Sequence, residues 1–245
     1  FIVIFLVIII FIISKTNKTH NDSIEAYSSD ILEENNINNE ITDNNKQEKE
    51  INSNTTDWNL ILVNKDNPIP EGYTVNTVKI EDRWEVDNRI KEAAEQMLKD
   101  ARKEGLDPII CSAYRTSQYQ KNLFNKKIQE YRKKGYSQEK AKEQASLWVT
   151  IPGTSEHEIG LSLDIVGRSY QILDEKQEKT KIQKWLMEHC TEYGFVLRYP
   201  TDKKDITKIN YEPWHYRYVG VENAKFMKEK EFCLEEYIEY LKNFE

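Results

Sequence analysis

The sequence predicts an α+β domain. Three observations support it: apolar residues recur at the 3.6-residue helical period in some segments and at a period of two in others, glycines and prolines punctuate the joins, and helices mix with strands without a regular βαβ rhythm. This domain follows a short apolar leader and a polar tether.

Phe1 to Ile13 is wholly apolar and is followed by Ser14 and Lys15. A bilayer span needs about 20 apolar residues, so the run is too short to cross as written. With no initiator Met and no basic n-region, residues 1–15 read as the trimmed remainder of a signal anchor or a signal peptide. The anchor is favoured because no small-x-small cleavage site follows. Residues 16–57 carry the pairs Asn35-Asn36, Asn38-Asn39 and Asn44-Asn45 among charged and hydroxyl residues. Such a stretch buries too little apolar area to offset backbone ordering, so it reads as a disordered Asn-rich tether.

Residues 58–245, roughly 190, suffice for one domain with a full core. The three cysteines, Cys111, Cys190 and Cys233, are odd in number and lack metal-like spacing, so they read as small buried hydrophobes. An exported domain without a disulfide framework fits a bacterial envelope. The net charge of −7 and the absence of a basic stripe argue against nucleic acid.

Val86, Ile90, Ala93, Ala94, Met97, Leu98 and Ala101 predict a helix over 85–104 that stops at Gly105. Pro108 to Tyr114 reads as a buried strand, 116–134 as a second helix, and 137–149 as a third with Ser137 as its N-cap. Leu161 to Val166 alternates as a strand with one covered face would. Ile182, Trp185, Leu186, His189, Cys190 and Tyr193 form the stripe of a fourth helix ending at Gly194, which makes His189 a packed core-edge residue rather than a ligand. Strands follow at 195–199 and 215–219, then helices at 222–230 and 234–243.

The chemistry lies in two segments, Ser155-Glu156-His157-Glu158-Ile159-Gly160-Leu161-Ser162-Leu163-Asp164 and Glu212-Pro213-Trp214-His215. A catalytic zinc takes three imidazole or carboxylate ligands, keeps one position open and needs a carboxylate nearby to accept a proton. His157, Asp164 and His215 can supply the ligands, and Glu212 the base. His157 and Asp164 are too far apart for adjacent helical turns, so this is not the His-Glu-x-x-His helix. A loop His and a strand Asp can converge if Gly160 lets the backbone turn tightly between them. Pro213 discourages a helix interior, leaving Trp214 as a core aromatic that can also wall the pocket.

These segments, together with Ser112-Ala113-Tyr114-Arg115-Thr116 and the run Tyr211 to Gly220, resemble those of VanY-type zinc D-alanyl-D-alanine carboxypeptidases. Supporting stretches are Leu62 to Pro68, Gly194 to Pro200 and Leu234 to Tyr237, so the resemblance covers nearly all of the domain. It implies a hedgehog/DD-peptidase-like fold, in which helices flank an antiparallel sheet carrying the metal. It further implies Zn2+ held by His157, Asp164 and His215, with Glu212 as general base. Arg115 would hold the scissile carbonyl and its oxyanion, and Ser155 would lie beside the substrate with Trp214. Glu158-Ile159 stands where family members often have Gln-Thr, and Ser162 where they often have Ala. Neither change removes a ligand, but an extra carboxylate at Glu158 is expected to alter the field near the zinc.

The activity so implied is removal of a C-terminal D-alanine from peptidoglycan stem peptides by an extracytoplasmic monomer, membrane-anchored at the envelope or secreted. Two alternatives stay open: an L,D-carboxypeptidase acting on tetrapeptide stems, and a noncatalytic zinc-containing module that binds the cell wall. Glu212 weighs against the module, because a structural zinc site needs no base.

Overall fold

The computed structural model describes residues 53–244; the predicted leader and most of the tether lie outside the described residues. Ser53 Oγ donates to Asn223 Oδ1 at 2.7 Å, so the described chain packs onto the domain slightly upstream of Trp58. No helix among the described residues is long and apolar enough to cross a membrane.

Among the described residues, six strands form two sheets. Strands β1 (Thr77–Ile80) and β2 (Trp84–Asp87) make an antiparallel hairpin. The main sheet contains β3 (Pro108–Ser112), β4 (Ser162–Gly167), β5 (Phe195–Leu197) and β6 (His215–Tyr218), in the order β3-β4-β6-β5 and antiparallel throughout. The helices are α1 (Lys91–Lys103), α2 (Ser117–Lys133), α3 (Gln138–Ser146), α4 (Lys181–His189), α5 (Lys204–Thr207), α6 (Val221–Glu229) and α7 (Leu234–Lys242).

The expected helix over 85–104 begins later than its periodicity indicates. Val86 pairs with Val78 across the hairpin, and Asp87 then caps a short 3-10 turn by accepting from Arg89 N. Val86 has the right spacing for the helical stripe, but it reaches the same core from a strand. Helices α2 and α3 start where their capping residues indicate: Thr116 accepts from Tyr119 N and Ser137 from Lys140 N. Helix α4 tightens into a 3-10 turn, Cys190–Tyr193, and Gly194 ends it in the left-handed region. His189 packs on Trp185 with ring centroids 4.8 Å apart and pairs with Glu192, away from the site. The three cysteines are free.

Side-chain alternation separates the two faces of the main sheet. Leu163 and Ile165 of β4, Phe195 of β5 and Tyr216 of β6 join the apolar core, which includes Met97 and Leu98 of α1 and Leu186 of α4. Asp164, His215 and Arg217 occupy the opposite face. All six residues of β4 are buried, so the expectation of one covered face is corrected. The strand is central, and Asp164 on its polar side is met by His157, His215 and Arg115. A second small core, Phe124, Ile128, Ala141 and Ala145, joins α2 to α3. That hairpin forms one wall of the cleft described next.

Candidate active site

Strand register brings the distant site residues together. Asp164 lies directly opposite His215 on β6 and opposite Ser112 on β3. The β3 register shifts between Ile110 and Ser112, and the extra residue, Cys111, directs its Sγ to the Asp164 carbonyl. His157 comes from a 3-10 turn, Glu156–Ile159, that Gly160 closes at φ 70°. A Cβ on Gly160 would lie 2.8 Å from Asp87 N, whose N–H donates to Gly160 O at 3.0 Å. Glycine is therefore needed there for both its backbone conformation and its missing side chain.

The convergence is close. Asp164 Oδ2 is 3.3 Å from His157 Nε2, and its Oδ1 is 3.0 Å from His215 Nδ1. One donor atom from each of the three residues lies within 4.8 Å of the others, and all three residues are buried. Two imidazoles and a carboxylate at this spacing fit a small borderline cation such as zinc. Glu212 Oε2 is 3.9 Å from His215 Nδ1. Pro213 breaks the chain direction there, and His215 N donates to Glu212 O as the strand begins.

Burial sets the protonation pattern, and neighbouring charges modify it. Burial pushes the Glu212 carboxyl up to about 8, with Asp164 adding to the rise and His215 and Arg115 opposing it. Burial lowers His157 to about 4, helped by Arg115. For His215 burial acts downward, but hydrogen bonds to Asp164 and Glu156 outweigh it and raise the ring to about 9. Burial would raise Asp164, yet the two histidines hold it well below the usual carboxylate range.

The cleft holds about 210 Å³ and is lined by Arg115, Trp148, Ser155, Glu156, His157, Asp164, Tyr199, Glu212, Trp214 and His215, with Leu123, Leu173 and Ile209 supplying apolar surface. Arg115 pairs with Asp164 Oδ2 at 2.9 Å and is braced by Ser112 Oγ and Gln120 Oε1 at 2.8 and 3.2 Å. Ser155 is buried at the start of the His157 turn. Trp214 is buried as well, and its carbonyl accepts from Ile165 N. The expected influence of Glu158 on the metal field is not supported by its position: it turns away, accepting from Ser117 Oγ and from Gly153 N, and lines a neighbouring cleft with Tyr114 and Arg115.

Sequence reasoning assigned no role to Glu156, Arg198 or Arg217, whose side chains are fully buried beside His215. The available signal was the presence of one arginine inside each of the predicted strands, 195–199 and 215–219. A buried guanidinium requires a buried carboxylate.

An antiparallel sheet that gathers two imidazoles, an aspartate and a buried glutamate at one cleft defines a metallopeptidase of the DD-peptidase fold. The family model for VanY, D-alanyl-D-alanine carboxypeptidase, matches residues 83–221. The chain belongs to that family. It is 41% identical over 182 residues to a D-alanyl-D-alanine carboxypeptidase of Enterococcus faecalis, a match covering 74% of this chain and 66% of the relative. It is also similar to a solved D,D-pentapeptidase VanY mutant in complex with Zn(II), with a TM-score of 0.69, 41% identity, and coverage of 74% of this chain and 99% of that one. Another similar structure is the LD-carboxypeptidase LdcB, with a TM-score of 0.63, 34% identity, and coverage of 78% of this chain and 92% of that one.

Proposed function

We propose that this protein is a zinc D-alanyl-D-alanine carboxypeptidase that removes the terminal D-alanine of peptidoglycan stem peptides. The observation that carries the reading is the junction of three converging donors, His157, Asp164 and His215, with the buried carboxyl of Glu212 at one cleft. Family membership supports the substrate class, and the zinc-bound VanY relative supports the metal.

In this reading His157, Asp164 and His215 hold the ion. Zinc bound there would polarise a peptide carbonyl and lower the pKa of a water towards about 7. Glu212, whose carboxyl the positive charge of a bound ion would hold ionised, accepts the water's proton and passes it to the leaving amine. Arg115 presents its guanidinium to the carbonyl oxygen as negative charge develops, an interaction worth roughly a hundredfold or more in rate. Ser155 and Trp214 border the bound peptide.

The enzyme acts outside the cytoplasm, where its polymeric substrate lies. The apolar run at 1–13 supports tethering to the membrane, and the single-domain reading supports a monomer. Likeness to an LD-carboxypeptidase supports a second reading, cleavage of tetrapeptide stems.

Mass spectrometry of defined muropeptides tests both. Metal-dependent loss of one alanine from a pentapeptide, abolished in Glu212→Ala, is the expected result. Loss only from a tetrapeptide would assign the L,D activity, and no cleavage of either by zinc-loaded protein would refute the peptidase reading.

A further inference from the structure

Glu156 directly precedes one proposed ligand in sequence and faces another in space. Its Oε1 accepts from Arg198 Nε at 2.7 Å and from Arg217 Nη1 at 2.8 Å. Its Oε2 lies 3.4 Å from His215 Nε2. Both arginines are anchored elsewhere. Arg198 makes a two-pronged pair with Glu235 at 2.7 Å on each prong, and Arg217 donates to the carbonyls of Ile61 at 2.8 Å and Asn59 at 3.1 Å. Two carboxylates balance two guanidiniums, so the cluster is neutral and hydrogen-bonded. It clamps Glu156 and leaves one oxygen facing the imidazole.

We infer that Glu156 is a positioning residue for His215, fixing the ring so that Nε2 carries the proton and Nδ1 is free to bind the metal. An ionised carboxylate only accepts hydrogen bonds, so Nε2 beside Glu156 must be a donor; Nδ1 faces a second carboxylate, Asp164 Oδ1 at 3.0 Å, and would give up its proton on binding an ion that both residues ligate. Histidines that bind metals are oriented in this way through their second nitrogen. His157 has the complementary arrangement: Nδ1 donates to Ala113 O at 2.7 Å, which leaves Nε2 free. The two rings meet edge to face with centroids 4.9 Å apart and planes at 88°, so the free nitrogens converge beside Asp164 from different directions. One short turn thus supplies the first imidazole and orients the second.

The inference rests on His215 being a ligand, and the test separates the two claims. Zinc affinity would be measured by competition titration of the metal-stripped full chain. Glu156→Gln keeps the shape, but an oxygen kept on the arginines turns its amide N–H groups towards Nε2 and favours the wrong tautomer. It should weaken zinc binding about 10- to 100-fold. Glu235→Gln perturbs the same arginine cluster without touching His215, and it should leave affinity within about threefold. Equal losses in the two variants, or no loss in Glu156→Gln, would overturn the positioning role. Unchanged affinity in His215→Ala would overturn the ligand assignment itself. Should Glu156→Gln fail to fold, nitrogen-detected NMR of the unmutated protein loaded with NMR-active cadmium decides. Metal coupling to Nδ1 of His215 and Nε2 of His157 is expected, and coupling to Nε2 of His215 refutes the proposal.

Discussion

Replacing Gly160 by alanine tests whether the turn between His157 and Asp164 is held by sterics as well as by backbone conformation. Two glycines share nearly the same φ, 70° at Gly160 and 75° at Gly105, but differ in surroundings. A Cβ on Gly105 meets nothing within 4 Å, whereas one on Gly160 meets Asp87 N at 2.8 Å and Val75 Cγ2 at 3.1 Å. Left-handed strain costs an alanine about 1–2 kcal/mol, offset by about 0.4–1 kcal/mol from a less flexible unfolded chain. Gly105→Ala should therefore lose about 1 kcal/mol, or about 2–4 °C in Tm for a domain of this size. Gly160→Ala adds overpacking against backbone, about 1–3 kcal/mol more, for a total loss of about 4–15 °C. Relief of that clash must move the turn that carries His157, so zinc affinity should also fall about tenfold or more. Thermal melts of the metal-free variants and zinc titrations would be run in parallel. Melting within about 1 °C of each other, with equal zinc affinity, would refute the steric argument.

Three further outcomes are expected. Glu212→Gln should lower kcat by about 10²- to 10⁴-fold while metal analysis still finds one zinc per chain; loss of the zinc instead would make Glu212 a ligand. Glu235 opposes Arg198: burial raises its carboxyl, but the guanidinium lowers it further, so its folded pKa lies below the unfolded value near 4.3. A carboxylate depressed in this way stabilises the fold fully at neutral pH, and the contribution is lost as pH falls through about 4 and below. Urea melts across that range should show a steeper decline for the unmutated protein than for Glu235→Gln. Finally, Ser162 Oγ is buried without a hydrogen-bond partner among the described residues, so Ser162→Ala should raise Tm by about 1–4 °C.

Much of the fold was legible because it depends on local chemistry. Thr116 and Ser137 mark helix starts through their own hydroxyls, and Gly194 marks an end through its positive φ. The β1-β2 hairpin was missed because Val86 satisfies a helical stripe and a strand pairing equally well, and the choice is made by Val78 across the hairpin. Alternation in 161–166 was read correctly, but the polar face of that strand is buried as well. The partners of Asp164 there, His157, His215 and Arg115, come from three other segments, which local periodicity cannot bring together.

By itself the sequence determined which atoms were available for chemistry: two imidazoles, an aspartate and a glutamate in ordered blocks, with a glycine where the chain must turn. Those are properties of side-chain type and near spacing. Tertiary structure alone decided that Asp164 stands opposite His215 and that the ring nitrogens of His157 and His215 converge on it. It also decided that Glu158 turns away while Glu156 turns in. Each of these depends on contacts between segments far apart in the chain. Strand register and the neutralisation of buried charge select such contacts over the whole domain, and no short window of sequence contains both partners.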